Sequence, residues 1–243
     1  MQKITLSIIV PVFNEEGTVG EVLFKLSHLK LLNGVGSEIF VVNDGSTDGS
    51  KDIILNSQKD FKINNFKLLT HPKNLGKGSA VISGIEKSTG DIITIQDADL
   101  EYDPNDLNKL LRPILEGRSE VVFGTRLKQY PLKISGKKKT PLITHYLGNK
   151  FLTLLTNILY GSSVTDMETC YKMMKRNVLQ GINLKSKRFE FEAEITAKIL
   201  KKGYKIFEVP IKVNPRGYEE GKKITWRDGF IAIWTLVKYR FVG

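Results

Sequence analysis

A single cysteine, Cys170, stands in 243 residues. It excludes an internal disulfide and fits a reducing compartment. Histidine is nearly as scarce: His28, His71 and His145 lie far apart and show no metal-ligand spacing, which argues against zinc. Long hydrophobic runs are missing too. No stretch approaches the roughly 20 apolar residues of a spanning helix. The amino terminus, MQKITLSIIVPVF, is too short an apolar run for a signal peptide and lacks a small-residue cleavage site. The expectation is a cytoplasmic protein, at most peripheral at the cytoplasmic face of a membrane. Negative charge is the minority sign, 26 Asp plus Glu against 37 Lys plus Arg, for a formal net charge of +11. That balance implies anionic partners: nucleic acid, phosphate-bearing substrates or an anionic membrane surface. Internal repeats and low-complexity linkers are also absent, so the chain reads as one domain.

What is present centres on Ile92–Pro104, IITIQDADLEYDP. A short run rich in β-branched residues is the pattern of a strand buried on both faces. It breaks into a series of carboxylates, Asp97, Asp99, Glu101 and Asp103. Side chains alternate along an extended chain, so Asp97 and Asp99 point to one side and Ala98 to the other. Two like charges aimed together are costly unless a cation sits between them. Oxygen-only ligands suit a hard ion, Mg²⁺ or Mn²⁺, of the kind that also holds substrate phosphates.

The flanking segments alternate strand and helix. Ile4–Val12 reads as a buried strand, followed by Asn14-Glu15-Glu16 and a helix through Val19, Val22, Leu23 and Leu26. Glu38–Val42 is a second strand running into Asn43-Asp44-Gly45-Ser46, with Ser46, Thr47 or Asp48 as caps of the next helix. Phe66–Leu69 is a third, followed by Asn74-Leu75-Gly76-Lys77 and a helix through Ala80, Ile82 and Ile85. Short connections of this kind argue a mostly parallel α/β sheet covered by helices on both faces. Asn14-Glu15, Asp44 and Asp97/Asp99 then meet at one sheet edge, where such folds bind ligands.

Beyond the acidic stretch, Leu107–Leu115 reads as a helix and Glu120–Thr125 as a strand ending in Arg126. Lys128–Thr140 carries five lysines with no periodicity and reads as a loop. Leu142–Tyr160 is a helix whose Leu147, Phe151, Leu154, Leu155, Ile158 and Leu159 are expected mostly to pack in the core. A polar turn, Thr165–Lys172, precedes a strand at Met173 and Met174, and Arg188–Glu194 leads into another helix. Tyr204–Val213 alternates as a strand, Pro215–Lys223 is a glycine-punctuated basic loop, and Trp226–Phe241 is strongly apolar.

The motifs IVPVFNEE (Ile9–Glu16), VVNDGSTDGS (Val41–Ser50), NLGKGSA (Asn74–Ala80), QDADLEYDP (Gln96–Pro104) and GTR (Gly124–Arg126) together give the chain its closest likeness. It resembles the inverting glycosyltransferases of family 2, of GT-A fold. Within them it is similar to the dolichyl- or polyprenyl-phosphate sugar synthases. The second half departs from them, with TDMETCYK where they carry a Ser-Gly-Phe type of turn.

The resemblance implies a hexosyltransferase with a nucleotide-sugar half, residues 1–126, and an acceptor half, residues 127–243. Pro11, Asn14 and Glu15 would wall the nucleoside, and Asp44 would accept a hydrogen bond from uracil or guanine. Lys77 would lie near the base or ribose. Asp97 and Asp99, flanking Ala98 and with Glu101 as a third ligand, would hold Mg²⁺ or Mn²⁺ on the diphosphate. The donor would be GDP-mannose or a UDP-hexose, and the acceptor a lipid phosphate. Its phosphate oxygen is already ionised near neutral pH, so no strong general base is needed. Two anionic reagents need fixed cations, and Arg126, Arg216, Lys222 and Lys223 sit in loops suited to that. Asp166 and Glu192 are further candidates for positioning the sugar or a basic side chain. A lipid acceptor also implies docking on a membrane surface through Lys128–Lys139 and through Phe230, Trp234 and Val237 of the last helix.

Three rival readings have to be weighed. Nucleotidyltransferases that make sugar nucleotides need a basic, glycine-rich loop after the first strand, where this chain has Asn14-Glu15-Glu16. Nucleic-acid binding would explain the charge, but the lysines are not interleaved with exposed aromatics and the carboxylates would repel a phosphate backbone. A family 2 enzyme with a soluble or polysaccharide acceptor in surface glycan synthesis is the runner-up.

Overall fold

Strand β1, Ile4–Val12, pairs in parallel on one side with β2, Val35–Asn43, and on the other with β4, Ile92–Ile95. The structure is a computed structural model that describes residues 4–32, 34–61, 65–126, 143–215, 223 and 225–242. Strand β3, Phe66–Thr70, extends the sheet beyond β2. On the far side of β4 come β6 (Lys172–Lys175), β5 (Val121–Thr125) and β7 (Ile206–Pro210), giving the order β3-β2-β1-β4-β6-β5-β7. Among the described strands only β6 runs against the others. It comes from the second half of the sequence and lies between β4 and β5 of the first, so both halves share one sheet.

Every described residue of β4 and β5 is buried, as their unbroken apolar runs require of strands covered on both faces. Helices α1 (Val19–Ser27), α2 (Ser50–Asp60) and α4 (Leu107–Leu115) cover one face, packing on Leu6, Ile8, Val10 and Val12 of β1. Helix α3 (Lys77–Lys87) covers the other, over Ile9, Phe40, Val42 and Ile93. Helix α6 (Phe191–Lys201) continues that layer over Ile95, Val121 and Phe123. Helices α5 (Ile143–Tyr160) and α7 (Trp226–Phe241) pack against each other and on α6 through Leu152, Ala197, Ala232 and Leu236.

The chain builds outward from β1 to β3, then crosses back through α3 to place β4 on the opposite side of β1. That reversal opens a crevice at the carboxyl ends of β1 and β4, where a parallel sheet takes its ligand.

Two sequence expectations change. The last strand is shorter than Tyr204–Val213, because its final residues are drawn off the sheet. The Lys212 amide donates to Asp106 Oδ2 at 2.9 Å, and Val213 bridges Tyr102 instead of continuing β7. Helix α5 is not mainly a core helix: Leu147, Phe151, Leu154 and Ile158 are exposed, Ile158 to 70%. The basic loop expected at Lys128–Thr140 lies outside the described residues.

Candidate active site

The crevice is a cleft of about 570 Å³. Each inner strand delivers residues to it: Pro11 lies at the end of β1 and Phe13 and Glu15 follow it, Asp44 follows β2, and Asp97, Ala98, Asp99 and Glu101 follow β4. Lys77 enters from the start of α3 and Arg126 from the end of β5. The sequence-predicted donor residues are thus brought together, apart from Asn14.

Asn14 adopts a left-handed backbone (φ 51°) and does not line the cleft. Its Oδ1 accepts from the Thr47 amide at 2.8 Å, tying the loop after β1 to the loop after β2. Asn14 therefore shapes the wall by holding Phe13 and Glu15 in place. Glu15 pairs with Lys223, Oε1 to Nζ 2.7 Å.

Asp44 is buried and anchors the next loop. Oδ1 accepts from the Leu75 amide at 2.9 Å and faces His71 Nδ1 at 2.7 Å, while Oδ2 accepts from the Gly76 amide at 2.8 Å. His71 Nε2 lies 3.0 Å from Ser83 Oγ on α3, so a side-chain relay fixes Asp44 at the floor of the cleft. Gly76 has φ +100°, and a Cβ there would stand 2.2 Å from the Lys187 carbonyl oxygen. Only glycine allows the 74–78 loop to close on residues 186–188.

The acidic turn bends at Leu100, whose left-handed backbone (φ 61°) is a strained conformation for a branched residue. Asp99 Oδ1 accepts from the Glu101 amide at 3.0 Å, closing a small side-chain turn. Asp97 pairs with Lys77, Oδ1 to Nζ 2.8 Å, and Lys77 also lies 3.0 Å from Cys170 Sγ and 3.6 Å from Glu192. Burial opposes the Lys77 charge, but the Asp97, Cys170 and Glu192 groups outweigh it and hold its pKa well above the ordinary value. Lys77 thus sits with the acidic turn.

This donor set suits a hard divalent cation, being all oxygen with two carboxylates on one turn of the cleft. Among the described residues no three His, Cys, Asp or Glu side chains are gathered closely enough to hold a metal alone. An ion at Asp97 and Asp99 would complete its shell with phosphate oxygens and water, as Mg²⁺ ordinarily does.

Beside the acidic turn, Arg126 is gripped fork to fork by Asp166, with Nε–Oδ2 and Nη2–Oδ1 both 2.7 Å. Arg126 Nη1 also donates to Tyr102 Oη at 3.1 Å. Asp166 is fully buried and takes a further hydrogen bond from Asn149 at 2.9 Å. Burial alone would raise the Asp166 pKa, but Arg126 holds it below the usual carboxylate range. Behind them, Lys172 is fully buried against Glu192, Nζ–Oε2 2.5 Å. Asp166 and Glu192 therefore position basic side chains.

Tyr102, Glu168, Cys170, Arg188 and Phe189 also line the cleft and were not singled out in the sequence. Arg216 and Lys222 lie outside the described residues. The residues on either side of that segment reach the site, since the Asn214 amide donates to Glu101 O at 2.8 Å and Lys223 pairs with Glu15.

Comparison with known proteins agrees with this geometry. The chain is 29% identical over 243 residues to the low-salt glycan biosynthesis hexosyltransferase Agl6 of Haloferax volcanii, covering 98% of this chain and 54% of that protein. It is 29% identical over 245 residues to a UDP-N-acetylglucosamine–dolichyl-phosphate N-acetylglucosaminyltransferase of Methanococcus voltae, covering 95% and 94% of the two chains. The fold matches glucosyl-3-phosphoglycerate synthase of Mycobacterium tuberculosis in complex with UDP, with TM-score 0.73, 20% identity, and 99% and 81% of the two chains covered. A structure of the same synthase with Mn²⁺, UDP and glucosyl-3-phosphoglycerate gives TM-score 0.71 at 18% identity over 97% and 78%. The family model for glycosyl transferase family 2 matches residues 7–182, which take in most of the cleft, from Pro11 through Arg126 to Cys170, and leave out Arg188, Phe189 and Lys223. The chain belongs to that family and is a glycosyltransferase.

Proposed function

We propose that the protein moves a hexose from a nucleotide diphosphate to a polyprenyl phosphate, with inversion at the anomeric carbon. The reading rests above all on the make-up of the cleft, where the carboxylate turn at Asp97–Glu101 and the cations Lys77, Arg126, Arg188 and Lys223 line one space. The Methanococcus relative, by its name, uses a UDP-sugar and dolichyl phosphate, and the mycobacterial synthase is named with UDP and Mn²⁺. Both favour a UDP-linked donor as the first to test.

An acceptor phosphate oxygen attacks the anomeric carbon as the bond from that carbon to the diphosphate oxygen breaks. The bonding electrons leave with the nucleoside diphosphate. A divalent ion at Asp97 and Asp99 would offset the charge growing on that leaving group. Pro11, Glu15 and Asp44 hold the nucleoside end. Arg126, oriented by Asp166, meets the acceptor phosphate, with Arg216 and Lys222 as further cations for it. A thermal-shift panel of UDP- and GDP-sugars with Mn²⁺ tests the donor. A ligand at about 100 times its Kd stabilises by about 2.7 kcal/mol. Metal-dependent shifts with diphosphate sugars are expected, and none with any nucleotide sugar would overturn the reading.

The lipid acceptor requires a docking surface, and α5 and α7 supply one. Leu147, Phe151, Leu154 and Ile158 form an exposed stripe on α5. Trp226, Phe230, Trp234 and Phe241 are exposed on α7, Trp234 to 67%. The opposite side of α7 packs on the protein through Ala232, Leu236 and Tyr239, so the helix has a core face and an open apolar face. No helix among the described residues is long and apolar enough to cross a membrane. Large apolar side chains beside Lys150, Arg227, Lys238 and Arg240 suit the surface of an anionic bilayer. Trp234→Glu is expected to reduce liposome binding and to lower turnover on long-chain acceptors more than on short, water-soluble ones. Equal losses on both, with partitioning insensitive to salt, would remove the membrane assignment.

A further inference from the structure

Glu168 has no part in the reaction as written above, yet it lines the cleft on the turn before β6. Its Oε1 is closed off from solvent and has no hydrogen-bond partner. The groups around it come from five directions: Arg126 from the end of β5, Asp166 from its own turn, Lys172 from β6, Glu192 from α6, and beyond them Lys77 of α3 against Asp97 and Cys170. The cations here are already matched, with Arg126 on Asp166, Lys172 on Glu192 and Lys77 on Asp97. An ionised Glu168 would add a further carboxylate with no cation of its own. Burial first, with the Glu192 and Asp166 charges behind it, pushes the carboxyl up to about 7 against the pull of Lys172 and Arg126. At neutral pH the group is therefore poised to offer an O–H, with a ligand entering the cleft and Glu192 Oε1, likewise without a hydrogen-bond partner, as its candidate acceptors.

We propose that Glu168 binds the acceptor phosphate in its protonated form, donating its O–H to a phosphate oxygen beside Arg126, so that acceptor binding takes up a proton. This rests on the phosphate-acceptor reading above. No covalent bond changes: the proton comes from solvent to a Glu168 oxygen when the anionic phosphate arrives and disfavours the ionised carboxylate. A sugar hydroxyl could be satisfied by either protonation state, whereas a phosphate dianion accepts from the acid and repels the carboxylate. Glu168 is on this account a positioning residue that links acceptor affinity to pH.

The test is calorimetric titration of the protein, saturated with UDP and Mn²⁺, with a short-chain isoprenyl phosphate in two buffers of different ionisation heat. Wild type is expected to take up more protons than Glu168→Gln near pH 8, since the amide is a neutral donor at every pH. The ratio of wild-type to E168Q dissociation constants should rise about tenfold per pH unit above 7. E168Q should bind as tightly as wild type does at pH 6, and Glu168→Ala should lose affinity at all pH values. Thermal melts of both variants report whether the fold is kept. Equal proton uptake and equal pH profiles in wild type and E168Q would overturn the assignment. So would E168Q that binds and titrates like wild type but fails to transfer, which would make the carboxylate a general base. If wild type itself binds no isoprenyl phosphate, the acceptor reading falls, and this inference falls with it.

Discussion

Asp99→Asn is expected to lower hexose transfer by about two to three orders of magnitude, the usual effect of removing one electrostatic support of a leaving group. The substitution keeps the shape, and the amide oxygen can still accept from the Glu101 amide, so the turn at Leu100 survives. What is lost is charge in a cleft that must hold a diphosphate beside an ion. The melting temperature should stay close to that of wild type while turnover at saturating Mn²⁺ collapses. Near-normal turnover would take Asp99 out of the chemistry. Asp97→Asn differs in one respect, because Asp97 is also the partner of Lys77 at 2.8 Å. That variant should lose stability as well as activity.

The largest loss of stability is expected from Asp166→Ala. The carboxylate is fully buried and holds Arg126 through two bonds of 2.7 Å. Removing one member of such a pair leaves a buried charge without compensation and costs about 3–5 kcal/mol. For a protein of this size that is a fall in Tm of roughly 10 °C. Urea unfolding should show a lower midpoint with an unchanged slope. A variant as stable as wild type would mean that water reaches Arg126 and that the pair is ornamental. The pH sign follows from the depressed pKa of Asp166. Its contribution is full above about 3.9, the value for an unfolded aspartate, and is lost as pH falls through the lower folded value. Wild type and Asp166→Asn should therefore converge in stability in acid.

The crevice was legible in the sequence because its inner wall is local. At β1, β2 and β4 an apolar run stops at polar residues, and strand polarity alone sends those residues to one edge. Asp97, Asp99, Asp44 and Glu15 follow directly. The rest of the lining was legible only in part: Arg126, Asp166 and Glu192 stood out as residues, but which of them pair did not, because the pairings cross long separations. Arg126 meets Asp166 over 40 residues, and Lys77 meets Cys170 over 93. Glu168 shows no periodicity or spacing that would mark it; only the return of β6 between β4 and β5 brings it to the cleft. Asn14, expected in the nucleoside wall for its position in the motif, does not line the cleft itself, and its side chain instead ties the loop after β1 to Thr47. For α5, helical spacing identified an apolar face but could not say what covers it. Leu152 packs inward, and Phe151, one residue earlier, is 54% exposed.

The measurement closest to the central claim is the anomeric configuration of the transferred sugar. An α-linked UDP-hexose, a short-chain polyprenyl phosphate and Mn²⁺ are incubated with the protein, and the lipid product is examined by NMR. The proposed inversion predicts a β-linked sugar phosphate, formed by wild type and not by Asp99→Asn. A product that keeps the α configuration, or a sugar found only on hydroxyl acceptors while the phosphate is left untouched, would contradict it.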